Sequence, residues 1–257
     1  MLQRVIIIFT VIMVGMALFK VIEAWPLIYP QKYFRHNQRY RAFNIYSDRE
    51  INEDQLRIFD EVHDRLAQID IYDPNSNYDV FLCQDPDLYW IFANKMGKPK
   101  QSQGFNLQPV KYTFVSLSAI QAIQKKYDNK YRYNILEGSI SHIIAHEIAH
   151  ELITMKVGLW KGRTSQPWKK EGYCEYAASH SKRSLDSEYS LLKAASQYFD
   201  GYYDDVTDGR RFYIRAALLV EYLLDVKKVS FDDLMESELD QDLILKEIKN
   251  WVKEQNR

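Results

Sequence analysis

The stretch that most restricts how this chain can fold runs from Ser141 to Glu151 and reads S-H-I-I-A-H-E-I-A-H-E. His146 and His150 bracket Glu147 in a segment that is otherwise strongly apolar, where unpaired imidazoles would be costly. A helix removes the cost. Four-residue spacing sets both imidazoles on one side, a turn apart, where they can reach one Zn²⁺ at about 2.0–2.1 Å. Glu147 is turned about 100° from His146, outside the ligand set but beside an open coordination position. Ile144, Ile148, Leu152 and Met155 fall on the opposite side and are expected to pack into a core. The plain alternative is a helix carrying two surface histidines beside a glutamate.

A catalytic zinc takes a third protein ligand and keeps its fourth position open. The run Trp168-Lys169-Lys170-Glu171-Gly172-Tyr173-Cys174-Glu175-Tyr176 follows Pro167, so it is expected to open a second helix crossing near the first. Here the chain resembles the gluzincin metallopeptidases, in particular the peptidase MA-like group and the aminopeptidase N family. In them a W-x-x-E-G-x-x-x-Y segment some way after H-E-x-x-H supplies the third ligand. Trp168, Glu171, Gly172 and Tyr176 fit that pattern, and the similarity covers about Tyr112 to Ser179. The resemblance implies Glu171 as third ligand of a single Zn²⁺. Glu175, one turn on, is either an acceptor for a ligand histidine or the ligand itself. The exopeptidase G-x-M-E-N run is missing, and Ile153 and Lys156 stand where a metzincin needs Gly and His.

Around these segments the pattern predicts an α+β fold of the zincin type. A small mixed sheet with helices occupies the N-terminal half; the zinc-helix pair sits in a mostly helical C-terminal half. Residues 41–47 read as a strand and 78–83 as another, with further strand-like runs near Phe105 and over 112–117. Asn52 and Gln55 form a capping pair for a helix to about Ile69, and Asp87 to Met96 is helical. Tyr112 to Leu117 is either an edge strand able to pair with an extended peptide or an interior strand. A long helix is expected from Asp208 through Leu224, and Ser230 with Asp233 caps the next.

The chain divides on this reading into 1–24, a membrane anchor or signal segment, 25–40, a connector, and 41–257, the catalytic domain. Val5 to Phe19 is an apolar run with no charged residue and Thr10 as its one polar side chain, and Ile22-Glu23-Ala24 makes a poor cleavage site, so an uncleaved single-pass anchor with an extracytoplasmic domain is expected, with secretion after signal cleavage as the alternative. Charge narrows the partners: 34 Lys and Arg against 35 Asp and Glu, without a basic block, argue against nucleic acid. The two cysteines, Cys83 and Cys174, form no C-x-x-C pair and are either bridged or buried free thiols.

The expected activity is hydrolysis of a peptide or protein substrate, with Glu147 as general base. The resemblance implies a second donor for the developing oxyanion, downstream of the third ligand; His180, Tyr202, Tyr203 and Tyr213 qualify by position, and Tyr213, near the start of a strong helix, is preferred. His142, one turn before His146, either lines the site or touches substrate. The rival reading is a non-catalytic, membrane-anchored scaffold or sensor on the same fold. Against it, a structural zinc site has no use for a base.

Overall fold

The computed structural model describes residues 13, 16, 22–108, 110–127, 138–185 and 191–256. The fold is α+β. A five-stranded mixed sheet is built from β1 (His36–Tyr40), β2 (Phe43–Ser47), β3 (Tyr78–Cys83), β4 (Gly104–Leu107) and β5 (Tyr112–Ser116), in the order β1-β2-β3-β5-β4. The three central strands run parallel; β1 and β4, at the two edges, run antiparallel to their neighbours.

Alternation along the strands gives the sheet two apolar faces. On one face Phe81, Phe105 and Phe114 meet Tyr89 and Phe92 of α2 (Pro86–Lys95), with Phe114 at the centre, 4.7 Å from the rings of Phe81 and Phe92. The other face presents Phe43, Ile45, Val80, Leu82 and Val115 to the main core. That core is closed by α1 (Glu53–Leu66), which starts at the Asn52–Gln55 capping box, and by α4 (Ile140–Val157). Helix α3 (Leu117–Tyr127) continues directly from β5.

Three features define α4: Ser139 accepts from the His142 backbone N–H at 3.1 Å, Ile144, Ile148 and Leu152 are buried, and Gly158 ends it at φ 85°. After α5 (Leu159–Thr164) comes α6 (Pro167–Leu185), which packs on α4, on α1 and, most extensively, on α8 (Asp208–Glu221). Helices α7 (Leu191–Phe199) and α10 (Gln241–Gln255) pack on α8, which runs into a π-helical turn at Tyr222–Val226, and α9 (Phe231–Glu236) meets α6 through Phe231, 4.8 Å from the Tyr173 ring. Tyr176 of α6 donates to Asp225 of that turn at 3.0 Å.

Several expectations change. Strand β1 lies inside the segment read as a connector, and the strand expected from 41 begins at Phe43, because Arg41 adopts φ 50° at the hairpin turn. Strand β5 is interior, hydrogen-bonded on both sides, so the edge facing the helices is β4. Met155 is 46% exposed, since α4 has by then run past the core. Both cysteines are buried free thiols.

The single-pass anchor is corrected as well. Among the described residues no helix is long and apolar enough to cross a membrane. The apolar run itself, Val5 to Phe19, lies outside the described residues except Met13 and Met16, and between Arg4 and Lys20 it falls short of the about 20 residues that a span requires. The membrane partner and the extracytoplasmic placement rested on that anchor and have no support in the described fold.

Helices α6 and α8 touch at Gly172. A Cβ there would collide with the Ala216 carbonyl oxygen and lie 2.6 Å from Cγ2 of Val220. Gly172→Ala is therefore expected to lower stability by about 1–3 kcal/mol or more through overpacking, read as a fall in denaturant midpoint at unchanged slope.

Candidate metal centre

The crossing of α4 and α6 brings three donor atoms together. Nε2 of His146 and Nε2 of His150 each lie 3.4 Å from the same oxygen, Oε2 of Glu171. Burial pushes the Glu171 carboxyl up, but His150 and His146 outweigh it and hold the group well below the usual carboxylate range. In His146 burial likewise opposes the charge, and Glu175, Glu171 and Glu147 overcome it, holding the imidazole proton well above the ordinary range.

The two carboxylates one turn apart have different tasks. While Glu171 faces Nε2 of His146, Oε1 of Glu175 sits 2.9 Å from its Nδ1. The other oxygen of Glu175 is 3.0 Å from Nε2 of His142, whose Nδ1 lies 3.3 Å from Ser179 Oγ. His142 and Glu175 are both buried, and the paired histidines overcome burial to bring Glu175 down to about 2. Neither His146 Nδ1 nor this second oxygen of Glu175 meets hydrogen-bond geometry, so the contacts are close approaches of imidazole and carboxylate rather than aligned hydrogen bonds.

The buried Cys174 thiol also comes within 4.8 Å of nitrogens of His146 and His150. Two overlapping groups therefore meet at His146, one completed by Cys174 and one by His142 with Glu175. Glu171 differs from these donors in setting one oxygen between both imidazoles, 3.4 Å from each Nε2. Burial, with the surrounding glutamates, pushes the Cys174 thiol up.

No family model matches the chain, and neither does any curated protein. Geometry and side-chain chemistry carry the functional argument.

The centre forms the floor of a cleft of about 710 Å³. Glu147 lies half-buried beside the histidines, below β4; a Cβ on Gly104 would be 3.0 Å from its Cγ, so the missing side chain at 104 eases a close approach of the strand. On the opposite wall Tyr213 of α8 has its ring centroid 6.1 Å from that of His146. Burial, reinforced by Glu171, Glu175 and Glu147, raises its phenol and keeps it a donor. The other oxyanion candidates do not line the cleft: Tyr202 is exposed and Tyr203 is buried against Gln197, while the His180 side chain lies outside the described residues.

Sequence reasoning missed Gly104, although a lone glycine in a strand signals close backbone approach. It also missed Gln108, whose Nε2 donates to the His150 carbonyl at 2.9 Å, and Arg210, one turn before Tyr213; nothing in their local patterns marks them. Glu151, next to His150, was passed over too. It is 2% exposed, neither carboxyl oxygen has a hydrogen-bond partner of good geometry, and burial pushes it up to about 8.

Two outcomes follow from these groups. Because the folded chain holds the Glu151 proton more tightly than the unfolded one, this residue's contribution to stability falls as pH rises from about 4.5 to about 8. Glu151→Gln should abolish that fall, on the order of a few kcal/mol after allowance for relaxation, in denaturant titrations across the range. Glu175→Ala should weaken retention of a divalent cation by about 10–100-fold, measured by competition with a chromophoric chelator. Glu171→Ala should weaken it far more, and Cys174→Ala little.

Proposed function

We propose that this chain is a zinc-dependent hydrolase that cleaves peptide bonds in the manner of the gluzincin peptidases it resembles. In this reading His146, His150 and Glu171 hold the ion, Glu147 is the general base and Tyr213 donates to the oxyanion. The observation that carries it is the single Glu171 oxygen placed 3.4 Å from both Nε2 atoms. Ligand atoms bonded to one tetrahedral ion at about 2.0–2.1 Å stand about 3.3–3.4 Å apart, so the donors match an edge of that polyhedron. Two imidazoles and one carboxylate are also the donor set of catalytic zinc sites, which leave one position free.

Zinc bound there would supply Lewis acidity, lowering the pKa of a water toward about 7 and polarising a substrate carbonyl. The residues of the chain account for the rest. Glu147, half-buried, accepts a proton on a carboxylate oxygen and delivers it to the leaving amide nitrogen. Tyr213 keeps its hydroxyl hydrogen and can donate it to the carbonyl oxygen as negative charge grows there. Glu175, braced by His142, fixes the ring of His146.

The cleft also favours a peptide over other amides. Strand β4 is an edge of the sheet and borders the cleft through Gly104 and Asn106. Its outer backbone groups are placed to pair with an extended chain, which would lay a scissile bond over the metal centre. A scaffold using zinc for structure alone would need neither a base beside the open position nor a cleft above it.

The test is cleavage of mixed quenched peptides by zinc-loaded protein. Glu147→Gln should retain zinc while losing about 10²–10⁴-fold in kcat, and Tyr213→Phe should lose about 10²-fold in kcat with KM little changed. Undiminished turnover in Glu147→Gln would remove the base assignment, and a folded wild type that binds no zinc would end the hydrolase reading.

A further inference from the structure

The lining of the cleft is sorted by charge. Its acidic residues are Glu147, Glu171 and Glu175, all gathered at the metal centre. Away from that floor the charged lining residues are Lys98, Arg163, Lys170 and Arg210, all of them cations. This local excess runs against the chain as a whole, whose net charge is −1. Three of the four come from successive parts of the helical half, Arg163 from α5, Lys170 from α6 and Arg210 from α8, and line the same cleft. Lys170 Nζ reaches the Arg163 carbonyl at 3.5 Å, and Arg210 shares a face of α8 with Tyr213, three residues on. Lys98 stands across the cleft, on the loop between α2 and β4.

We infer that the cleft selects peptides carrying a carboxylate close to the scissile bond, recognised by the cationic wall of Arg163, Lys170 and Arg210. The inference rests on the hydrolase reading for the word scissile, but the charge selectivity stands on the lining itself. A concave site of one sign, with low-dielectric walls, concentrates ligands of the opposite sign and discriminates against neutral isosteres. Glu171 and Glu175 face histidines and Glu147 lies at the floor below β4, so the charged side chains lining the cleft beyond that floor are Arg163, Lys170, Arg210 and Lys98. Uncharged polar side chains complete the opposite wall, among them Gln101, Gln103 and Asn106, which can hydrogen-bond a peptide without preferring a charge. The carboxylate can come from an Asp or Glu side chain or from the free C-terminus of the substrate.

Binding of fluorescent peptides to the full chain carrying Glu147→Gln, followed by polarisation, tests this without requiring turnover. Short blocked peptides with one Glu should bind about tenfold tighter than the same peptides with Gln, and the advantage should shrink as salt rises. A peptide without acidic side chains, offered with a free C-terminus or as its amide, separates the two carboxylate sources; a preference for either supports the proposal. Lys170→Gln with Arg210→Gln should erase the preference, whereas Lys170→Arg with Arg210→Lys should keep it and controls for folding. Equal binding of charged and neutral peptides, from both sources, overturns the proposal, and the metal-stripped wild type repeats the measurement if Glu147→Gln does not fold. Cleavage by the wild type is scored separately. Glu147-dependent cleavage without charge preference sinks the selectivity alone, and charge-selective binding without cleavage sinks the hydrolase reading alone.

Discussion

One carboxylate oxygen between two imidazoles organises this molecule. Glu171 and the histidines lie in a largely buried pocket, where each group is tolerable only because the others are present. Holding them there requires α4 and α6 to cross at a fixed separation, and both helices are committed elsewhere. The aliphatic back of α4 is sunk under the sheet, while α6 is pinned by Gly172 against α8, by Tyr176 on Asp225 and by the ammonium of Lys169 on the Ser237 carbonyl.

Behind that contact the polar groups are arranged in sequence. Ser179 meets His142, His142 meets Glu175, Glu175 meets His146, and His146 faces the centre. These contacts keep a carboxylate within 2.9 Å of the interior nitrogen of His146. In front lies the open cleft, bordered by β4 and by Tyr213 of α8 and lined farther out by basic side chains.

Much of this was legible in the sequence because it is local. Four-residue spacing placed His146 and His150 together, the Asn52–Gln55 and Ser230–Asp233 caps started their helices where expected, and β3 covers the predicted 78–83. The gluzincin-like W-x-x-E-G run pointed to Glu171, and the structure supplies physical tasks for its companions: Trp168 is buried and donates to Gln166, and Gly172 permits close approach. What escaped depends on partners distant in the chain. Whether β5 or β4 is the edge is decided by pairing order, which no alternation of side chains encodes. Helix α3 follows β5 without a glycine or proline to announce the change. The division of labour between Glu171 and Glu175 could be posed from their spacing but not resolved, because the two nitrogens of one imidazole separate them.

The contact at Gly172 has a consequence for how such a chain can diverge. Residues 216 and 220, far in sequence from every metal donor, set the distance at which α6 can lie and therefore where Glu171 sits. Substitutions that enlarge Ala216 would displace the helix that carries the ligand while leaving every chemical group of the centre intact. Selection for the geometry of this centre would accordingly extend to a small-residue patch on a helix that also supplies Tyr213, and α6 and α8 would be constrained to change together, as a pair, rather than singly.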